Sequence, residues 1–431
     1  MQNITMQNIT IKSLLALAVL LLTIDTGSAA TEGKPLRVYI LAGQSNMEGH
    51  AKVETFDYIG DDPNTAPLLK QMQRPDGKPV VCERVWISYL TGSPDRGTLG
   101  EGVGKLTAGY GSRRNPIEDG GKIGPELTFG LMMEKAYDGP ILIIKTAWGG
   151  KSLNTDFRSP SAGPYKFSEA HLANLTKRGK DIETVKTEKA KAAGRYYRLM
   201  IDHVKKVLAD PERVMPEYDA MAGYEIAGFV WFQGWNDKVD GNTYPERKKP
   251  GGYDLYSELM SHFIRDVRKD LGVPEMPFVI GVMGVGGIQE KPNYFRQAMV
   301  APALLPEFKE NVAAVETAPY WDVPLSALAD EMAKVNKAAY YLRKNQPFHI
   351  RKNPIGDVLL NKYLAKGETT MTSKQIKAFM KEYRAKMISP EKEAMWKRGA
   401  SNAGYHYLGC AKTMALIGKA FAEAMVTLEH K

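Results

Sequence analysis

Six short apolar runs, most of them rich in β-branched residues, constrain the fold of this chain more than any other feature. They are Leu36–Ala42, Val85–Leu90, Ile141–Thr146, Ile226–Phe232, Phe278–Val282 and Val312–Glu316. Runs without polar alternation belong to strands buried on both faces, and such strands occur where helices cover a parallel sheet. The intervening stretches supply the helices. The pattern predicts helices over 124–137, with Pro125 early and Gly139 after it, over 186–209, ending at Asp210-Pro211, over 253–271, ending at Gly272, and over 408–428. That alternation predicts an α/β chain, a three-layer α/β/α domain around a central parallel sheet. Two segments read as insertions into it. Residues 151–185 are polar, irregular and directly after a strand end, which predicts a loop over a site mouth. Residues 323–400 are lysine-rich and interrupted by Pro347 and Pro354, which predicts a helical cap.

Open sheets of this kind place their chemistry beyond the carboxyl ends of the strands. The first run leads straight into Gly43-Gln44-Ser45-Asn46-Met47. Gly43 permits a sharp turn, and Ser45 then stands either as the cap of a short helix or as a nucleophile. A hydroxyl attacks only when a base takes its proton, so the second reading requires a histidine within reach. The chain has seven histidines. His430 is next to the last residue, His203 and His262 lie in amphipathic helices, and His171 and His349 lie in the insertions. His50, five residues past Ser45, either faces the same cleft or, as the stronger expectation, lies one turn up the same helix. His406 sits in the small, polar stretch Asn402-Ala403-Gly404-Tyr405-His406, just before the last helix. From there it reaches across the strand ends, unless it only caps that helix. An ester hydrolase also needs donors for the oxyanion. The Ser45 N–H and the glycines of Ala147-Trp148-Gly149-Gly150 are candidates, and Trp231-Phe232-Gln233-Gly234-Trp235-Asn236-Asp237 is a third polar strand end. Gln44 and Asn46 flank the serine as candidate substrate contacts. Trp148 and Trp235 offer aromatic faces of the kind that suit sugar rings, although core packing would also account for aromatic residues here.

Gly43-Gln44-Ser45-Asn46-Met47, Trp231-Phe232-Gln233-Gly234 and the late His406 together resemble the sialate O-acetylesterase and acetylxylan esterase branch of the SGNH hydrolases. The resemblance spans roughly residues 36–320, discontinuously, and 400–425. It implies the SGNH-hydrolase, flavodoxin-like form of the fold. It also implies a serine esterase that removes acetyl groups from carbohydrates, with Ser45 as nucleophile and His406 as base. For the oxyanion, the esterase branch implies Gln233, and the wider SGNH pattern of glycine–any–Asn–Asp implies Asn236. Two positions depart from the family. Ala403 stands three residues before His406, where an aspartate is usual, and Trp235 follows the Gln-Gly pair, where many members carry glutamate. Asp237 is the first candidate to replace the missing carboxylate; Asn402 or a bare Ser–His dyad are the others. Two competing functions remain: a carbohydrate-binding protein whose catalysis was lost with that carboxylate, and a lipase or other acyl-ester hydrolase.

The remaining features bound the surroundings. Lys12 precedes the apolar run 14–22, too short for a bilayer, and Gly27-Ser28-Ala29-Ala30 offers a cleavage site. Residues 1–30 therefore read as a secretory signal peptide, and residues 31–431 as a secreted or periplasmic domain, free of the membrane once the signal is removed. The two cysteines, Cys82 and Cys410, leave a disulfide open. The net charge is +9, and residues 323–400 carry all of it, with 16 Lys and Arg against 7 Asp and Glu. That segment is either a solvated helical face or a surface that attracts anionic polysaccharide. Nucleic acid is not expected as a partner. No cofactor is implied, since Gly281-Val282-Met283-Gly284 lacks the dinucleotide spacing and Gly102-Val103-Gly104-Lys105 is no phosphate loop. No metal-ligand spacing occurs either.

Overall fold

The computed structural model describes residues 33–113, 120–365 and 367–430; the expected signal peptide lies outside them. Nine strands are present among the described residues: β1 (Leu36–Gly43), β2 (Ala51–Lys52), β3 (Val85–Thr91), β4 (Gly100–Lys105), β5 (Lys122–Ile123), β6 (Ile141–Ala147), β7 (Tyr224–Phe232), β8 (Phe278–Val282) and β9 (Val312–Glu316). Seven form the central sheet, in the order β4-β3-β6-β1-β7-β8-β9, and β2 and β5 make a small antiparallel pair. All neighbours in the large sheet are parallel except β3 and β4. In the flavodoxin order the second strand adjoins the first; here β6 stands between β3 and β1. The consequence is local to the site: Gly43 at the end of β1 is level with Ala147 of β6 and Phe232 of β7. Three turns therefore emerge side by side.

Successive residues of β1 point to opposite faces, and each face is covered. Val38, Ile40 and Ala42 join a core with Met200 and Val204 of the helix Arg195–Ala209 and with Phe263 and Ile264 of the helix Asp254–Leu271. Tyr39 and Leu41 join a second core with Leu127 of the helix Glu126–Ala136 and with Met414 and Phe421 of the C-terminal helix Ala411–Glu429. Each large apolar side chain so buried contributes about 1.5–3 kcal/mol, before the cost of ordering it. The molecule is thus the three-layer α/β/α arrangement, its sheet mostly parallel.

The structure departs from the sequence reading at three elements. The helix expected over 186–209 is two, Ile182–Ala192 and Arg195–Ala209, broken at Gly194, whose φ is 69°. β4 is a strand that the apolar pattern misses: its residues, Gly-Glu-Gly-Val-Gly-Lys, form a sheet edge and so need only one neighbour. The stretch 151–185 is less irregular than expected, since it holds the helix Glu169–Lys177 and the start of the next. Residues 323–400 are helical throughout much of their length and enclose an apolar cluster of their own, around Leu342, Leu360, Phe379 and Tyr383. Cys82 and Cys410 are both buried and both free thiols.

Candidate active site

Ser45 begins a helix of a single turn, Ser45–Glu48, directly after β1. A side chain at position 43 would bring its Cβ within 2.2 Å of the Phe232 carbonyl oxygen, so only glycine lets the chain leave β1 against β7. The helix ends at Gly49, whose φ is 89° and whose Cα faces Gly124 too closely for a side chain. That early stop overturns one expectation. His50 does not continue the helix; it lies flat against His406, the two rings 4.0 Å apart and 3° from parallel.

Beneath the short helix is a buried ion pair. Lys145, on β6, meets Glu126 at 2.8 Å, and both side chains are fully enclosed. Burial pulls the ammonium below its usual range, and Glu126 opposes that. The same Nζ donates to the carbonyls of Glu48 and Tyr110. Lys145 thus ties the end of the serine helix to the central sheet.

Gln44, expected as a substrate contact, is instead the hub of the three turns. Its Oε1 accepts from Gln233 Nε2 (3.2 Å), the Gly234 N–H (3.0 Å) and the Asn236 N–H (3.4 Å). Its Nε2 faces Asn236 Oδ1 at 3.3 Å and Ser45 Oγ at 3.4 Å. The serine hydroxyl is thereby oriented by a side chain that is itself locked to β7. Gln233 is only 2 % exposed, and its Nε2 is spent on Gln44, on the Lys151 carbonyl and on Asp237. An amide nitrogen with two hydrogens and three acceptors has none left for an oxyanion, so the expected role of Gln233 is corrected to a structural one. Asn236 donates one hydrogen to the Gly150 carbonyl at 2.9 Å and retains another.

Asp237 is corrected in the same way. Its oxygens accept from the Leu153 and Asn154 N–H groups (2.8 and 3.1 Å), Gln233 Nε2 (2.7 Å) and Tyr244 Oη (3.1 Å). Burial raises its carboxyl to about 6, and these four donors favour the charged form against that rise. The carboxylate anchors the start of the 151–185 segment, not the histidine. His406 Nδ1 meets Asn402 Oδ1 instead, at 2.9 Å. An amide oxygen only accepts, so this contact assigns the proton to Nδ1 and leaves Nε2 with its lone pair free. Burial, then His50 and Lys122, pushes the imidazole down to about 3, so it is neutral near pH 7. The helix Ser45–Glu48 packs against the turn Gly404–Gly409 that carries His406.

The β6 turn closes the third side. A Cβ at position 149 would lie 3.8 Å from Ser45 Cβ and 3.3 Å from Glu48 Oε2, so Gly149 brings bare backbone up to the serine. Trp148 is 2 % exposed and packs on Tyr196 and Phe157, so it forms wall more than platform. Trp235 is half-buried beside Tyr405, with ring centroids 5.9 Å apart, and keeps surface for a ligand. Asn46 is buried, and its Oδ1 has no partner among the described residues. A cavity of about 690 Å³ opens at this edge, lined by Glu48, Asp95, Arg96, Trp148, Gly149 and Lys151 among others. Several polar side chains in this lining do not stand out in the sequence, among them Glu48, Asp95, Arg96 and Lys151. Their only signal in the sequence is position: Lys151 follows the glycine pair directly. Among the described residues no group of three or more His, Cys, Asp or Glu side chains could hold a metal ion.

A serine at the end of the first strand, a histidine on the turn packed against its helix and bare backbone from a third strand end thus stand at one edge of the sheet. Residues 112–319 match the family described as carbohydrate esterase, sialic acid-specific acetylesterase. The match covers just under half of the chain and supports a carboxylic ester hydrolase. Among solved structures, it is similar to a protein from Arabidopsis thaliana (16% identity, 66% of this chain and 86% of that one, TM-score 0.35). It is also similar to a carbohydrate acetylesterase from Xanthomonas citri (16% identity, 65% and 49%, TM-score 0.36), of which it spans about half the length. NanS is a third, at 13% identity, 66% and 78% coverage and a TM-score of 0.33. No curated protein compared with the chain matches it.

Proposed function

We propose that this carbohydrate esterase works through Ser45, His406 and Asn402, and that its substrate is an O-acetylated, acidic carbohydrate. His406 Nε2 takes the Ser45 proton as Oγ attacks the acetyl carbonyl. The Asn402 amide holds the ring in the required tautomer, the part an asparagine plays in the Cys-His-Asn proteases. The N–H groups of Ser45 and Gly149, with the free hydrogen of Asn236, receive the oxyanion. His406 then returns its proton to the sugar oxygen that leaves. Water, deprotonated by the same Nε2, attacks the acetyl-enzyme, and acetate departs. The observation that carries this reading is the contact of Nδ1 with Asn402 Oδ1, which leaves Nε2 free on a turn packed against the serine helix.

The cavity supports a hydrophilic substrate. Its walls are charged and polar, with Arg96 and Lys151 against Glu48 and Asp95, and suit a hydrophilic ligand better than a fatty acyl chain. The reading also places the domain outside the cytoplasm, after removal of residues 1–30. Acetate release from a panel of acetylated polysaccharides, together with p-nitrophenyl esters of increasing chain length, tests it. Acetyl esters should be preferred, and acidic polymers over neutral ones. Faster turnover of long acyl chains would contradict it.

A further inference from the structure

The helical segment 323–400 contains a second cavity, of about 370 Å³, with no part in the chemistry above. Lys334, Lys337 and Tyr341 line it from one face of the helix Val323–Arg343, at a helical spacing of three and four residues. Lys352, His349 and Tyr383 close the other sides. The floor is apolar, and Tyr341 and His349 stack with ring centroids 4.2 Å apart. The charges are informative because of where the acids went. Glu331, Asp357, Glu382 and Glu393 are engaged by Lys392, Arg351, Lys362 and Arg384. None of Lys334, Lys337 and Lys352 makes an ion pair among the described residues. Three cations without acids thus converge on one concave surface with aromatic walls. The Asn353 side chain already satisfies the first N–H groups of the following helix, so that helix terminus is not the attraction.

We propose that this cavity is an auxiliary site for a carboxylated sugar unit of a polysaccharide, separate from the esterase centre. An apolar floor with aromatic walls receives a sugar ring, and a lysine rim receives its carboxylate. The choice of a sugar over another anion rests on the carbohydrate substrate argued above. Geometry gives the site a purpose. Leu325, at the start of the same helix, packs in one cluster with Leu408, two residues past His406. From Leu325 to Lys337 is about 18 Å along a helix. A polymer held at the lysines therefore presents its neighbouring units to the catalytic turn at raised effective concentration. A monosaccharide ester gains nothing from it.

The test measures binding and turnover separately, so that failure of the esterase mechanism cannot pass for failure of this site. Unacetylated polygalacturonate is titrated against Ser45→Ala protein by calorimetry, with dextran as the neutral control. The combined Lys334→Gln, Lys337→Gln, Lys352→Gln protein is compared with a control that removes equal charge on the same segment, Lys374→Gln, Lys377→Gln, Lys381→Gln. The expected result is binding of polygalacturonate and not dextran, at least tenfold weaker for the cavity variant and less than threefold weaker for the control. In proteins with Ser45 intact, kcat/KM on p-nitrophenyl acetate should be unchanged by either triple substitution, while KM on an acetylated acidic polymer rises for the cavity variant alone. Equal weakening by both variants, no binding by the parent protein, or displacement of the polymer by equimolar inorganic phosphate would each overturn the proposal.

Discussion

Asn402 is where the account is most exposed, because it assigns to an amide what a carboxylate usually does. Asn402→Ala removes the acceptor 2.9 Å from His406 Nδ1. In the resting enzyme that bond joins neutral groups, and its net worth is about 0.5–1.5 kcal/mol. In the transition state the imidazole becomes an imidazolium, and a bond to a charged group is worth about 1.5–3 kcal/mol. Only the difference, about 1–1.5 kcal/mol, enters the barrier, so at 1.36 kcal/mol per decade kcat/KM should fall roughly five- to 13-fold, chiefly in kcat. Asn402→Asp keeps the shape and adds a negative charge, which favours the imidazolium. That variant should retain or exceed the parent rate, and its acid limb should move to higher pH as the His406 pKa rises from about 3. Asp237→Asn supplies the contrast. It touches no atom of His406, so on correctly folded protein it should cost less than Asn402→Ala, although its four lost or weakened bonds should lower the thermal midpoint. The assay is kcat/KM on one acetyl ester across pH, with each protein's folded fraction checked by near-ultraviolet dichroism. If Asn402→Ala stays within twofold while Asp237→Asn loses several thousandfold with its fold intact, the orienting residue is Asp237 and the reasoning fails.

Three further outcomes follow from the same geometry. Lys145→Met leaves the Glu126 carboxylate buried and unpaired, and should cost about 3–5 kcal/mol in urea unfolding; a loss under 1 kcal/mol would mean that the pair does not hold the serine helix. His50→Phe keeps a flat ring against His406 but removes a group that opposes its protonation, so the acid limb of kcat/KM should move up, and an unchanged limb would show that His50 only packs. His406 is held neutral by burial, so the unfolded chain binds a proton that the native one refuses. The stability it contributes is present above about pH 6.5, the free histidine value, and is lost as pH falls from there toward about 3; in His406→Gln the denaturation midpoint should fall less steeply over that window.

The parallel strands were legible because burial on both faces writes a continuous apolar run, as in Ile141–Thr146. β4 was not, because an edge strand of glycines and charges needs only one partner and buries little. Gly194 hid inside a helical pattern, since only its backbone conformation distinguishes a break from a tolerated glycine. In the site, Ser45, Gly149 and His406 were reachable from their strand-end and turn positions. The partners of Gln44, Gln233 and Asp237 were not, because a buried amide or carboxylate bonds whatever the fold brings up, here segments some 80 to 190 residues away. The place of His50 turned on Gly49 ending the helix after one turn, a consequence of the approach of Gly124 that no local pattern records.

The central claim is that Ser45 carries the acyl group, and trapping the covalent enzyme tests it most directly. The protein is treated with an organophosphonate, digested and mapped by mass spectrometry, alongside Ser45→Ala. A single adduct on the peptide containing Gly43-Gln44-Ser45-Asn46-Met47, absent from Ser45→Ala together with esterase activity, is the expected result. An adduct on any other serine, or full activity in Ser45→Ala, would contradict the account.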